Sequence, residues 1–241
     1  MTPEPTDPSS SARAYSTSDP ARILIVDDHA IVRHGLARLI DEEDDLEVCA
    51  EAGSFGEALD ALEREDPDLV VVDLALEGAD GLELIKRIAA EDGAVRSLVL
   101  SMYDESLYAE RSLRAGASGY VMKEEATRTV VTAIRTVLEG EIHVSDEILD
   151  RILRKVSGRG PDVTESPLES LTDRELQVFR LLGEGHSTRE IAEILHLSVK
   201  TIETHRAKIM RKLALENATQ LLHRAIAWVQ QEMGGEEGSS P

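Results

Sequence analysis

The sequence predicts an α/β domain with a doubly wound, five-stranded parallel sheet, followed by a small all-α domain of four helices. Three observations support this. Between residues 21 and 140, five apolar runs of strand length alternate with amphipathic helical patterns. From residue 168 to 232 only short, well-capped helical patterns follow one another. Between these regions lies a stretch rich in Gly, Pro and Ser, which is typical of a linker.

The first domain contains five strand-helix units. Strands are expected near residues 22–27, 46–51, 69–73, 97–102 and 118–122, and helices near 30–41, 55–65, 81–91, 105–115 and 127–138. The run from Leu69 to Val72 is apolar without alternation, as in a strand covered on both faces. Ser54 and Glu57 have the spacing of a capping box at the second helix.

The remaining boundaries follow from composition. Residues 1–20 are rich in Pro, Ser and Thr, and we expect them to be disordered because they offer little apolar surface to bury. Residues 141–167 combine a helical stretch with a flexible linker, and residues 233–241 form a loose tail. The domains are therefore expected at 21–140 and 168–232.

The charge is spread unevenly over these domains. The chain of 241 residues has a formal net charge of -21. Residues 22–140 contain 12 basic and 27 acidic residues, a net charge of -15, whereas residues 168–232 contain 9 of each, a net charge of zero. This asymmetry indicates two domains with different partners.

The composition, 41% hydrophobic and 30% charged, is typical of a soluble globular protein. No apolar run approaches the roughly 20 residues that a membrane helix needs, and the N-terminus lacks an apolar signal core. We therefore expect a cytoplasmic location and no membrane partner. Cys49 is the only cysteine, so an internal disulfide is excluded.

Carboxylates follow two of the predicted strands. Asp27 and Asp28 end the first strand, and Asp73 ends the third. Ligand chemistry in parallel α/β sheets collects at the carboxyl ends of the strands. Three acids in one partly dehydrated crevice repel one another unless a divalent cation relieves the repulsion. The sequence therefore predicts a Mg2+ site.

The later strand ends add two polar groups. Ser101 places a hydroxyl at the tip of the fourth strand, and Lys123 places an ammonium just past the fifth. This set is typical of a phosphorylatable aspartate: Asp73 is the nucleophile, Asp27 and Asp28 hold Mg2+, and Ser101 and Lys123 contact the phosphoryl group.

With these residues, the region 22–140 resembles a receiver domain of a bacterial two-component response regulator. The resemblance implies a flavodoxin-like strand order 2-1-3-4-5, which is the order found in receiver domains. It also implies phosphotransfer from a sensor histidine kinase to Asp73, the backbone carbonyl of Ala75 as a further metal ligand, and Ser101 with Tyr120 as a switch pair. Glu77 departs from the family, which commonly has a proline in this loop.

Other interpretations of single residues stay open. Asp28 could only cap the following helix, and an Asp or Lys at a strand end is often solvated surface. Tyr120 could serve packing alone. His29 and His34 are expected on a helix surface.

The second domain has the pattern of a helix-turn-helix. Capping residues precede Glu or Gln by three positions at Thr172, Ser187 and Asn217, and Ser198 precedes a further helix that runs to about Leu213. A short turn across residues 196–197 joins the second and third helices. The third helix has a net charge of +4 and one apolar face, so its other face could enter a DNA groove. A solvated basic face is the alternative.

Residues 168–230 resemble the LuxR-type DNA-binding domain. The resemblance rests on residues 171–175, Gly185, residues 191–192 and 197–202, His205 and residues 212–213. With the receiver, it identifies the chain as similar to response regulators of the NarL/FixJ class. The candidate DNA-binding residues are Lys200, Thr201, Glu203, Thr204, Ala207, Lys208 and Arg211.

In that class the fourth helix of this domain, here 218–230, forms the dimer contact. Its apolar residues are compatible with this role and equally with plain core: Leu221, Leu222, Ala225, Ile226 and Val229.

These resemblances imply a transcription factor that a sensor kinase switches through Asp73, that dimerises when activated and that binds double-stranded promoter DNA. No enzymatic activity is expected beyond self-catalysed phosphoryl transfer to Asp73 and hydrolysis from it. Two alternatives are a DNA-binding regulator whose receiver is only a dimerisation scaffold, and a phosphohydrolase. The second is disfavoured because Ala75 stands where such an enzyme has a second acid.

Overall fold

A computed structural model describes residues 19–76, 80–91, 95–157 and 166–233 of the chain. Most of the segments expected to be disordered or flexible, 1–18, 158–165 and 234–241, lie outside the described residues, as does Glu77.

The first domain contains a five-stranded parallel sheet. Its strands are β1 (Ala21–Val26), β2 (Leu46–Ala52), β3 (Leu69–Val72), β4 (Arg96–Ser101) and β5 (Gly119–Met122). Their order is β2-β1-β3-β4-β5, which confirms the fold expected for this region. The carboxyl ends of β1 and β3 are neighbours, because these two strands pair directly.

Five helices cover the two faces of the sheet. They are α1 (Ala30–Asp41), α2 (Phe55–Glu65), α3 (Gly81–Glu91), α4 (Glu105–Ala115) and α5 (Ala126–Leu138). Alternate strand residues face opposite sides. Ile23 and Ile25 pack with α1 and α5, whereas Leu24 and Val26 pack with α2, α3 and α4. The buried, non-alternating strands follow from this two-sided cover.

The capping box expected at α2 is only half formed. The side chain of Ser54 accepts a hydrogen bond from the backbone N–H of Glu57. The Glu57 carboxylate, however, accepts from the backbone N–H of Gly53 (2.7 Å) and not from that of Ser54. The Glu57 side chain thus bonds the residue one position before the N-cap, and the second hydrogen bond of the capping box is not formed.

The C-terminal part is helical, as expected. After α6 (Asp146–Ser157), it comprises α7 (Asp173–Gly183), α8 (Thr188–Ile194), α9 (Val199–Lys212) and α10 (Ala218–Met233). Complete capping boxes begin α7 at Thr172 and α8 at Ser187. Gly183 permits close packing of α7 on α10, since a Cβ there would lie 2.5 Å from the carbonyl oxygen of Ala225.

No helix within the described ranges is long and apolar enough to cross a lipid bilayer.

Candidate functional site

Acidic side chains meet at the carboxyl edge of the sheet. Asp27 follows β1 and Asp73 follows β3, and the backbone N–H of Asp73 donates to the carbonyl of Val26 (2.8 Å). Both residues are only 2% exposed. One ligand atom from each of Asp27, Asp28, His29 and Asp73 lies within 4.8 Å of the others. The strand pairing thus produces the expected cluster of acids.

Lys123 lies between the two buried carboxylates. Its Nζ is 2.6 Å from Oδ2 of Asp27 and 2.6 Å from Oδ2 of Asp73. Burial by itself lowers the pKa of Lys123, but the two carboxylates outweigh it and raise this pKa above its ordinary value. Burial raises the pKa of Asp73, and Lys123 opposes that rise. The ammonium compensates one of the negative charges here.

The residues at this edge fit a divalent cation with a preference for oxygen ligands. Three carboxylates cluster at this edge, and the one ammonium pairs only with those of Asp27 and Asp73, so negative charge is left over. Oδ1 of Asp28 is buried, and the largely exposed imidazole of His29 lies beside it. Asp28 is also not the cap of α1, whose N-cap residue is His29. The capping alternative for Asp28 is therefore wrong.

Ala75 contacts the site through its backbone. Its N–H donates to Oδ1 of Asp73 (3.1 Å), which orients the carboxylate. The role of its carbonyl as a metal ligand stays a prediction.

His29 belongs to this cluster, which the sequence reasoning missed. Its side chain is 63% exposed, as expected for a helix surface, but its Nδ1 lies 2.5 Å from Oδ1 of Asp28. The only signal in the sequence was its position directly after Asp28. His34, in contrast, is 72% exposed and lies 4.0 Å from Glu51.

Ser101 and Tyr120, the predicted switch pair, both contact the backbone of Tyr103. Ser101 is fully buried, and its Oγ accepts from the N–H of Tyr103 (3.2 Å). Tyr120 is 1% exposed, and its hydroxyl donates to the carbonyl of Tyr103 (2.6 Å). Burial raises the pKa of Tyr120 well above its ordinary value, against the effect of Ser101. The ring of Tyr120 is already turned inward in this structure.

The first and second domains contact each other beside this site. Asp173 at the start of α7 binds Nζ of Lys86 (2.8 Å) and Nη1 of Arg111 (3.1 Å). The guanidinium of Arg180 lies 3.4 Å from the centre of the Tyr103 ring. Tyr103 therefore links Ser101 and Tyr120 to α7, a connection that the sequence did not indicate.

The contact between the domains is not tightly packed throughout. A cavity of about 490 Å³ separates the loop after β3 from α7 and α8, and its lining includes Leu76, Asp80, Leu176 and His196.

The outer face of α9 is available to a ligand. Six of the seven candidate DNA-binding residues are exposed: Lys200, Glu203, Thr204, Ala207, Lys208 and Arg211. Thr201 is half-buried, and its hydroxyl is engaged with that of Ser198 (2.8 Å) at the helix start. The apolar face of α9 is turned to the core through Ile202 and Ile209.

Two basic residues of α9 serve the fold. Lys212 donates to the buried carboxylate of Glu175 (2.6 Å) and to the carbonyl of Ser170 (2.9 Å). Arg206 donates to the hydroxyl of Thr188 in α8. The net charge of +4 therefore overstates what α9 offers to a polyanion, because the charge of Lys212 is compensated within the domain.

The apolar residues of α10 divide into two groups. Leu221, Ala225 and Val229 are buried in the domain core. Leu222 is 38% exposed and Ile226 is half-buried. The core interpretation thus holds for three of the five, and two are accessible to a partner.

Family models cover both parts of the chain. Residues 23–135 match the response regulator receiver domain, and residues 169–225 match the bacterial regulatory proteins of the luxR family. The chain belongs to the response regulators of the NarL/FixJ type, with a receiver domain and a LuxR-family DNA-binding domain. It is therefore a transcription regulator.

Individual relatives match over nearly the whole chain. The oxygen regulatory protein NreC of Staphylococcus carnosus is 34% identical over 209 residues, which are 85% of this chain and 96% of NreC. NreC of Staphylococcus aureus is 35% identical over the same shares. RcsB of Salmonella enterica serovar Typhimurium, bound to promoter rprA with the phosphomimetic BeF3-, has a TM-score of 0.64 at 27% identity, covering 86% of this chain and 99% of RcsB.

Proposed function

We propose that this response regulator is switched by Mg2+-dependent phosphorylation of Asp73 by a sensor histidine kinase, and that phosphorylation promotes dimerisation and sequence-specific binding of promoter DNA. The observation that carries the proposal is the convergence of Asp73, Asp27 and Lys123 at one buried edge of the sheet. Buried acids and a lysine in this arrangement are costly for stability alone.

In the proposed transfer, a carboxylate oxygen of Asp73 attacks the phosphorus of a phosphohistidine. The new O–P bond forms as the P–N bond breaks, and the histidine nitrogen leaves with the electron pair. Lys123 compensates the charge of the phosphoryl oxygens, and Ser101 offers a hydroxyl. Asp27, Asp28, Asp73 and the carbonyl of Ala75 would hold Mg2+, which supplies charge neutralisation when bound.

The proposed switch passes through Tyr103. In this structure Oγ of Ser101 accepts a hydrogen bond from the N–H of Tyr103. This bond breaks when the Ser101 hydroxyl moves to a phosphoryl group on Asp73. The carbonyl of Tyr103 is held by Tyr120 and its ring by Arg180 of α7. A shift of this segment therefore changes a contact with the DNA-binding domain. Since the ring of Tyr120 is already inward, the change we propose is one of hydrogen-bond partners.

DNA binding is assigned to the exposed face of α9. Lys208 and Arg211 have long side chains suited to phosphates, whereas Thr204 and Ala207 are short and lie on the same face. The hydroxyl of Thr204 donates to the carbonyl of Lys200 (2.9 Å), which leaves its methyl group and oxygen lone pairs for a base edge.

The dimer contact is assigned to the accessible residues of α10, Leu222 and Ile226. A two-fold dimer would bind two half-sites in inverted orientation. RcsB has been solved as two dimers bound to two parallel DNAs, in a structure that is 27% identical to this chain with a TM-score of 0.62 over 85% of this chain and 98% of RcsB.

Labelling with a small phosphodonor and Mg2+ tests the proposal. We expect slow, stoichiometric, hydroxylamine-sensitive labelling that Asp73→Asn abolishes, with the fold preserved because the amide is nearly isosteric. The matched control is Asp68→Asn, which changes an aspartate at the opposite end of β3. Multiple turnover would support the phosphohydrolase alternative, and no labelling would support the scaffold alternative. Binding to promoter DNA with and without beryllofluoride then tests the switch.

A further inference from the structure

The outer face of α6 carries an apolar stripe that the described residues leave exposed. Leu149, Leu153 and Val156 recur at helical spacing, and they are 45%, 56% and 82% exposed. The opposite face of α6 packs on the receiver, where Ile148 is buried. An exposed stripe of large apolar side chains on one helix is typical of an interaction surface.

Ion pairs fix the direction in which this stripe faces. Arg151 binds Oε1 of Glu110 in α4 (3.0 Å), and Lys155 binds the same carboxylate (3.0 Å) and Glu169 (3.1 Å). These contacts hold α6 against α4. The stripe therefore faces outward as part of a docked helix.

The charges beside the stripe are arranged asymmetrically along α6. Asp146 and Asp150 lie toward its N-terminus and are exposed. Arg154 lies toward its C-terminus, is 63% exposed and is 3.8 Å from Asp150 of the same helix. The basic residues Arg151 and Lys155 are already paired with the receiver. One end of the stripe is thus flanked by acids and the other by a base.

We propose that the stripe of α6 is a contact between two copies of this chain, with the two helices antiparallel. Antiparallel pairing puts Leu149 opposite Val156 of the second copy and brings Leu153 close to its own counterpart. It also places Asp150 of each copy near Arg154 of the other. Parallel pairing would set acid against acid and base against base, which is unfavourable. The stripe is therefore self-complementary in the antiparallel sense, as a two-fold contact requires.

This contact differs from the dimerisation in the proposed function. It involves no residue of the phosphorylation site and none of α10, so it forms without phosphorylation. Three apolar side chains per copy fall short of the roughly 800 Å² per partner of a stable interface. The contact is therefore weak, and it forms at high protein concentration.

Cysteine cross-linking of the full-length, unphosphorylated protein without DNA tests the pairing. In a Cys49→Ala background at high protein concentration, Leu153→Cys should form a disulfide-linked dimer. Leu149→Cys alone should not, because its two copies lie about 10 Å apart along the helices, seven residues at ~1.5 Å each, beyond the ~7 Å that a disulfide allows between Cα atoms. A mixture of Leu149→Cys and Val156→Cys chains should link. Glu147→Cys, exposed but off the stripe, is the control.

Charge reversal separates pairing between copies from effects within one helix. In the Leu153→Cys protein, Asp150→Arg and Arg154→Asp should each reduce the yield of cross-linked dimer several-fold. A mixture of these two variants should restore the yield, with cross-links forming between unlike chains. Neither chain regains the ion pair between positions 150 and 154 of its own helix, so the recovery reports pairing between copies. Equal self-linking at positions 149 and 153 would overturn the antiparallel geometry. Monomers in every experiment would overturn the proposal, because the stripe would then contact something other than a second copy of this chain. Neither result bears on Asp73, whose labelling is tested separately.

Discussion

The contact between the domains depends on Asp173, and Asp173→Asn tests its strength. The substitution preserves the size of the side chain but removes the charge that Lys86 and Arg111 share. The side chain of Lys86 is 43% exposed, so this pair contributes at most about 1 kcal/mol. That of Arg111 is 9% exposed, and loss of its charged partner costs about 1.5 to 3 kcal/mol.

The loss at Arg111 stays within this range because the guanidinium keeps the carbonyls of Leu168 (3.1 Å) and Glu169 (3.3 Å). Together, the two pairs stabilise domain docking by about 1.5 to 4 kcal/mol, roughly a 10- to 1,000-fold change in the docking equilibrium. Since part of the contact surrounds an open cavity, little packing compensates for the loss.

We expect faster hydrogen exchange in α4 and α7 and a longer mean distance between fluorescent labels on the two domains. The matched control is Glu91→Gln, an exposed carboxylate that pairs only within α3 among the described contacts. The ion pairs do not hold the domains together if Asp173→Asn has the same hydrogen-exchange rates and label distances as the wild type. The same conclusion follows if Glu91→Gln changes these quantities as much as Asp173→Asn does.

The pH dependence of docking has a defined sign. Burial opposes ionisation of Asp173, but the hydrogen bonds and charges of Lys86 and Arg111 outweigh it and lower the pKa of this carboxyl below 3.8. A lowered pKa in the docked state means that the stabilisation is fully present above the ordinary pKa and is lost as pH falls through the lowered one. Wild type and Asp173→Asn should therefore differ at neutral pH and converge below pH 3.8.

Further predictions concern four single side chains. Lys123→Ala should still accept phosphate but lose about 1.5 to 3 kcal/mol of the coupling to DNA binding; an unchanged gain in DNA affinity on phosphorylation would make Lys123 purely structural. Burial raises the pKa of Asp80 to about 6, so wild-type stability should fall by about 1 to 2 kcal/mol, discounted for partial exposure, as pH rises from 4 to 7. Asp80→Asn, which retains an acceptor for the N–H of Leu82, should not show this loss in urea unfolding, and parallel pH profiles would contradict the assignment. Lys208→Ala should weaken binding to all DNA sequences and reduce the salt slope by about one, whereas Thr204→Ala should change the motif selected from random DNA; an unchanged motif would place another face in the groove.

Much of this protein could be predicted from local patterns. The alternation of strand and helix periods, together with turn and capping residues, is a short-range property, and the helix and strand positions agree with it to within a residue or two at most ends. The acids at the ends of β1 and β3 were also foreseeable, because parallel strands bring their carboxyl ends to one edge. The fold and the carboxylates of the acidic site were thus determined by the sequence itself, whereas the place of His29 beside them was not.

Pairings between distant side chains were decided only by the tertiary structure. Lys212 counted toward the charge of +4 that the sequence gives to α9, yet it compensates Glu175 because the packing of α9 on α7 brings a buried carboxylate within its reach. The capping box at Ser54 is only half formed, because the geometry of a single turn makes Glu57 accept from Gly53 and not from Ser54. Such outcomes depend on where a second element places its groups, and no periodicity along the chain encodes that distance.

The link from Tyr103 to Arg180 shows the same limit most clearly. Tyr103 follows β4 in the first domain and Arg180 lies in α7 of the second, and nothing in either local sequence predicts that the ring and the guanidinium meet. Their contact exists because docking of the two domains removes both from water together, where a cation over an aromatic face is stabilised. The sequence by itself determined the two domains and their acidic and basic faces, and the docked arrangement decided which residues connect them.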